Sequence, residues 1–159
     1  MIAILHNIRS NHNVGSMFRT ADSLGIEKIY LCGITPSPID RFGRKNRALA
    51  KVSLHAEDYI SWEHIASIIE LLDILKKQGY DILALEQNPN SAPLERAKLK
   101  KSKKYALIVG NEVDGLPQDI LDRADKILSI PMLGKKESLN VSVAFGIAAY
   151  SLSRHSERS

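Results

Sequence analysis

Two hydrophobic periods alternate along this chain. Short unbroken apolar runs at Ile2–Leu5, Lys28–Cys32, Tyr80–Leu85, Tyr105–Val109 and Lys126–Ile130 have the length and make-up of strands buried on both faces. A weaker run, Val52–Leu54, adds a further candidate strand. Between the strands, apolar residues recur at helical spacing. Val14, Met17, Phe18, Ala21 and Leu24 mark one helix, which Gly25 ends. Ile65, Ile68, Ile69, Leu72 and Leu75 mark a second. Ser61 is its expected cap, Lys76 and Lys77 suit its C-terminal dipole, and Gly79 stops it. A short third helix is expected near Gln118–Asp122.

The last helical stretch, Ser138–Arg154, is the most apolar. Val141, Ala144, Phe145, Ala148, Ala149 and Leu152 form one stripe, and Val143, Ile147 and Tyr150 fill the flanks. Such a helix is expected to be buried almost all round. Small residues at Ala144, Gly146, Ala148 and Ala149 let other backbones come close. Ser138 and Asn140 stand where the helix start presents unpaired N–H groups, either as a plain cap or as the polar mouth of a site.

Strands alternating with helices predict an α/β fold with a mainly parallel sheet covered by helices on both faces. The tight connections around the first helix favour a right-handed crossover between parallel strands. No repeat or linker divides the 159 residues, so one domain is expected over 1–154, followed by a polar tail, 155–159, that frays.

Composition narrows the class. An apolar fraction of 44% and a charged fraction of 25% are ordinary for a globular domain, and the net charge of +4 is compatible with a polyanionic partner. The single Cys32 excludes an intrachain disulfide and a cysteine-rich metal site, and its strand context predicts a buried, inert thiol. No apolar run approaches the roughly 18 residues of a membrane span, and MIAILHN is too short for a signal-peptide core. A cytoplasmic protein is expected.

In parallel sheets ligands bind beyond the carboxyl ends of the strands. The loops there are HNIRSNHNVG, LEQN, GNEVDG and IPMLGKKESLN, which concentrate Gly with Asn, Arg, Glu and Ser. GxGxxG, the Walker GK[ST], GxSxG and metal-ligand spacings of His and Cys are absent, so dinucleotide, P-loop, serine-hydrolase and metal chemistry find no support. Arg19 lies one turn after Gly15 and is expected to fold back over the space the glycine leaves, aiming a guanidinium at the strand-end crevice, or else to be a solvated side chain. Glu112 is either a hydrogen-bond acceptor in a site or an acid opening a helix. His55 and His155 have no evident partner, and His64 is expected on a surface helix. Two stretches are cation-rich: Arg41, Arg44, Lys45, Arg47 and Lys51 in one, six cations with no acid from Arg96 to Lys104 in the other. Either could face phosphate or solvent.

Three segments taken together, N-x-G-x-x-x-R at Asn13–Arg19, G-N-E-x-x-G at Gly110–Gly115 and S-L-N-V-S from Ser138, resemble the three motifs of the SpoU branch of the SPOUT superfamily, RNA ribose methyltransferases dependent on S-adenosylmethionine. The resemblance runs from about Asn7 to Arg154. It implies a C-terminal deep trefoil knot, for which a slim terminal helix is suited. It implies a cofactor held by Leu85, Glu86, Gln87, Gly110, Asn111, Glu112, Ile130, Met132, Ser138, Leu139 and Asn140. Asn13, Arg19, Glu112, Ser138 and Asn140 match the catalytic polar positions, with Arg19 either the base or a phosphate-gripping stabiliser of the alkoxide. It also implies a homodimer with the first and last helices packed across the interface and the active site near it.

Many relatives carry an extra N-terminal RNA-binding domain, whereas here the first strand begins at once. RNA (tRNA or rRNA), not DNA, would then be gripped by Arg9, Arg41, Arg44, Lys45 and Arg47, with the Arg96–Lys104 run as a further candidate. His55 stands where relatives commonly have Gly. The competing readings are a non-catalytic RNA-binding module that keeps the knotted fold, and a methyltransferase for small molecules or proteins.

Overall fold

The computed structural model describes residues 1–157, with side chains through Arg154. Its strands are β1 (Ile2–His6), β2 (Lys28–Cys32), β3 (Ser61–Ile65), β4 (Tyr80–Leu85), β5 (Ala92–Pro93), β6 (Lys104–Val109) and β7 (Lys126–Ser129). Its helices are α1 (Asn11–Ser23), α2 (Arg47–Ser53), α3 (Ile68–Lys77), α4 (Gln118–Leu121) and α5 (Val141–Glu157). All strand pairs are parallel, in the order β3-β2-β1-β6-β4-β7-β5. The order reverses between β1 and β6, which opens a crevice at their carboxyl ends.

Strand periodicity divides the core between the two faces. Ala3, Leu5, Ile29, Leu31, Leu83, Leu107 and Val109 point to one face, where Met17 and Phe18 of α1 and Phe145, Ala148 and Ala149 of α5 meet them. Ile2, Ile4, Ile82, Ala84, Ala106 and Ile108 point to the other, against Leu71, Leu72 and Leu75 of α3. The parallel, doubly covered α/β sheet is as the sequence predicts.

Several local expectations are corrected. Ser61–Ile65 is not the start of a helix but the edge strand β3, paired in register with Lys28–Cys32 and braced by Lys28 Nζ to Glu63 Oε2 at 2.7 Å. Ile65 matched the helical spacing of Ile68 and Ile69 by coincidence, and pairing to β2 decides the matter. The true cap of α3 is Ser67, whose Oγ accepts from Glu70 N, and the Ser-x-x-Glu spacing was its signature. Val52–Leu54 is no strand. It ends α2, which Asn46 caps by accepting from Leu49 N, and the chain leaves through Leu54 and His55, both left-handed. His55 thus adopts, at φ 70°, a conformation that favours glycine.

Two expectations for the helices change as well. Gly15 leaves no space for Arg19 to cover. A Cβ there would lie 2.7 Å from the Leu49 carbonyl oxygen and 2.9 Å from Val52 Cβ, so the glycine is where α1 and α2 cross. The α5 helix is buried on one face only: Phe145, Ala148, Ala149 and Leu152 are enclosed, while Val143, Ile147 and Tyr150 are 43–54% exposed. These three lie on the face turned away from α1 and the sheet. The helix also continues to Glu157, past the expected start of the frayed tail at 155, and 158–159 lie outside the described residues. No described helix is long and apolar enough to cross a membrane.

Candidate active site

The loops following β4, β6 and β7 and the start of α5 enclose a cleft of about 520 Å³. Leu85, Glu86 and Gln87 line it from the first loop; Gly110, Asn111 and Glu112 from the second; Ile130 and Met132 from the third; Ser138, Leu139 and Asn140 from the approach to α5. All the residues that the resemblance assigns to the cofactor therefore meet in one place. Val109, Val141 and Ala144 complete an apolar floor beneath the polar rim.

Glu112 ties this cleft to α1. Its carboxylate accepts from the backbone N–H groups of Arg9 (3.1 and 3.2 Å) and Ser10 (3.2 Å) and from Asn13 Nδ2 (3.0 Å). It therefore sits at the mouth of a helix whose N-terminus favours an anion. Burial works to raise its pKa, but the donors at Arg9, Asn13 and Ser10 outweigh that and hold the carboxyl below its ordinary value. Asn13 passes the connection on, its Oδ1 accepting from Asn140 Nδ2 at 3.1 Å. Asn140 also caps α5 through Oδ1, which accepts from Ser142 N at 2.9 Å. Asn140 is thus the cap of α5 and also lines the cleft. Three segments far apart in the chain are thus fixed through Asn13, Glu112 and Asn140.

The cleft walls are held by further contacts. Glu86 accepts from Leu116 N at 2.7 Å and from Gln87 N at 3.0 Å, and Gln87 Nε2 donates to the Ile130 carbonyl at 2.7 Å. Sequence reasoning placed Glu86 and Gln87 in the cleft but missed that they pin its neighbouring loops. Gly110 is where the loop after β6 folds back on itself backbone to backbone, since a Cβ would lie 2.6 Å from the Gly115 carbonyl carbon and oxygen. On the far side, Asn111 Nδ2 donates to the carbonyl of Asn7, a residue of φ 54° just beyond β1 that the sequence did not single out.

Most other sequence candidates lie outside the cleft. Arg19 is exposed on α1 and does not line it. Ser138 does line it and is exposed at its rim. Arg9, Arg41, Arg44, Lys45 and Arg47 are all exposed. Arg9 lies 4.0 Å from Asp114, and Lys45 lies 3.8 and 3.9 Å from the carboxylates of Glu57 and Asp58. Two histidine expectations are corrected. His55 has a partner in Asp58 Oδ2 at 3.2 Å, and His64 lies in β3 with Nε2 3.0 Å from the Gly33 carbonyl oxygen. The sequence offered no metal spacing, yet donor atoms of His55, Glu57 and Asp58 come within 4.8 Å of one another. The Lys45 ammonium already faces both acids there.

Residues 1–150 match the model of the SpoU rRNA Methylase family. The chain is 29% identical over 157 residues to tRNA (guanosine(18)-2′-O)-methyltransferase of Aquifex aeolicus, covering 99% of this chain and 70% of that protein. Other curated relatives, including a 23S rRNA (guanosine-2′-O-)-methyltransferase of Neisseria meningitidis, are spanned for only 55–58% of their length. Among solved structures, an AdoMet-bound rRNA methyltransferase from Sinorhizobium meliloti superposes with a TM-score of 0.86 at 26% identity, over 97% of this chain and 56% of that one. A structure described as "Structural insights into the 2-OH methylation of C/U34 on tRNA" gives a TM-score of 0.80 at 28% identity, over 96% of this chain and 93% of that one.

Proposed function

This chain belongs to the SpoU rRNA Methylase family, and from that premise we propose that it transfers a methyl group from S-adenosylmethionine to a ribose 2′-hydroxyl of tRNA or rRNA. The observation that carries the reading is the convergence of four separate segments on one cleft, tied to α1 through Asn13, Glu112 and Asn140. The cleft fits the cofactor in size and in kind. Its volume falls in the range of small-molecule sites, and it sets an apolar floor beside carboxamide and backbone groups. Leu85, Ile130 and Leu139 would flank the cofactor's apolar parts, and the rim at Gly110–Glu112 and Ser138–Asn140 its polar ones. When bound, the cofactor supplies an electrophilic methyl group.

The chain's own task is to orient the ribose and manage its hydroxyl proton, and positioning of this sort can lower a barrier by several kcal/mol. A guanidinium holds its proton through the biological range. Arg19 therefore serves in this reading as the grip on an RNA phosphate and the stabiliser of the developing alkoxide. It is exposed on α1, next to Thr20, which faces Gly146 at the middle of α5. A second copy covering Val143, Ile147 and Tyr150 would bring the first and last helices across a twofold axis and Arg19 to a cleft. Homodimerisation, the trefoil crossing of the C-terminal segment, the single domain over 1–154 and a cytoplasmic site of action belong to the same proposal.

The test uses purified protein, tritiated S-adenosylmethionine and tRNA and rRNA lacking modifications. Label in alkali-resistant dinucleotides of one RNA class is the expected result. Cofactor binding and RNA binding without any label would favour the non-catalytic module instead.

A further inference from the structure

Between β2 and α2 the chain makes a tight excursion, with Ile39 bridged to Lys45 and a turn over residues 40–44 at the tip. Asp40 builds that turn. Its Oδ1 accepts from Phe42 N (2.8 Å) and Arg44 N (3.0 Å), its Oδ2 takes Arg44 Nε at 2.8 Å, and its carbonyl accepts from Gly43 N, a glycine of φ 77°. Three backbone donors and one salt bridge thus define the tip, and its one acid is committed to them. What this turn presents is Phe42, 66% exposed, with the guanidinium carbons of Arg41 and Arg44 at 4.8 and 5.1 Å from the ring centroid.

An exposed phenyl ring on a pre-ordered turn has no role in the hydrophobic core, and four cations lie within 41–47. We propose that Phe42 is a stacking platform for an unpaired nucleobase of the substrate RNA, with Arg41 and Arg44 flanking it as phosphate or second stacking groups. The inference deepens the proposed function and rests on its RNA reading. It names the substrate class as a single-stranded or loop nucleotide, because only an unstacked base can lie on an aromatic ring. Place supports it. Asn46, at the base of the excursion, donates through Nδ2 to Asn11 Oδ1 at 2.6 Å, two residues before Asn13 of the cleft network. The platform is therefore joined to the same helix start that holds Glu112. Arg44 is fixed to Asp40, whereas Arg41 makes no hydrogen bond among the described residues and lies against the ring. It can turn from the ring to a phosphate as a base arrives.

The experiment measures binding of fluorescein-labelled single-stranded and duplex RNA of equal length to wild-type protein, Phe42→Ala and Phe42→Trp, beside methyl transfer to bulk RNA. Phe42→Ala is expected to weaken single-strand binding about 10-fold, with duplex binding and cofactor affinity unchanged. Phe42→Trp should bind single strands at least as well as wild type. Equal single-strand affinity and equal KM for RNA in Phe42→Ala, in a protein that methylates RNA, would overturn the platform and leave the function standing. Wild-type protein that neither binds nor methylates RNA would overturn both. A changed oligomeric state in Phe42→Ala, read by light scattering, would make Phe42 a protein contact and overturn the proposal.

Discussion

Two basic stretches of this chain look alike as sequence, but one begins beyond β2 at the carboxyl edge of the sheet while the other crosses from that edge, just after β5, to the amino edge. Arg41–Lys51 follows β2, at the carboxyl edge, and its base is bonded to the start of α1. Arg96–Lys104 leads into β6, whose first residue, Lys104, is paired with Tyr80 at the amino edge. A strand of six residues separates the edges by about 20 Å. The cleft lies wholly at the carboxyl edge. The second run is instead used locally: Lys103 pairs with Asp81 at 2.8 Å, and Lys104 lies over the Tyr80 ring at 5.5 Å. The Lys103–Lys104 end of the second run thus lies at the amino edge, away from the cleft.

The contrast can be broken by substitution, beginning where most is at stake. Arg19→Ala should lower kcat at least 100-fold with cofactor affinity unchanged, as loss of a charge stabiliser does. Single-turnover methylation with calorimetry of cofactor binding reads both, and a fully active variant would remove Arg19 from the mechanism. Arg47→Glu at the carboxyl edge should weaken RNA binding about 10-fold and reduce the salt slope by about one. Lys101→Glu at the amino edge should change affinity by less than about 2-fold. Equal losses at both edges would show that RNA wraps the whole sheet.

Glycines sharpen the same contrast. Gly110→Ala forces a Cβ into the Gly115 carbonyl and should cost about 1–3 kcal/mol, together with cofactor binding. Gly79 at the amino edge has φ 84° and open space around a Cβ, so Gly79→Ala should cost about 1 kcal/mol and leave cofactor binding intact. Denaturant melts and calorimetry separate the two. The smallest effect is expected at Glu112. Its folded pKa is lowered, so its contribution is full above the ordinary carboxylate pKa and is lost as pH falls through the folded value. Glu112→Gln should melt about 2 °C below wild type at pH 7, and the gap should close as pH falls below the ordinary glutamate range. A gap that persists at lower pH would mean the amide fails for steric reasons.

The buried strands were legible because their runs are unbroken and bounded by Gly or polar loops. Every such run is a strand in the structure, give or take a residue at its ends. The edges were not legible. Residues of β3 are largely exposed, and its pairing with β2 is a contact over some 30 residues that no local pattern encodes. The α2 helix was hidden among cations, with Leu49 its one fully buried apolar side chain. Asn13, Glu112 and Asn140 were readable as a resemblance, but not as one hydrogen-bonded chain, since 99 and 127 positions separate the bonded pairs. The exposed stripe on α5 could not be told from a buried one, because apolarity reports burial without naming whose surface does the burying.

Cys32 offers a different use of the same architecture. It closes β2, has no exposed surface, and burial pushes its thiol up to about 12. Its carbonyl accepts from Asn7 N and Thr35 Oγ1, so the strand end around it is fastened on two sides. A maleimide needs both access and a thiolate, and the folded chain denies it both. The single cysteine is therefore a built-in clock: alkylation proceeds only as fast as the end of β2 opens, and its rate times the excursions that uncover that strand end.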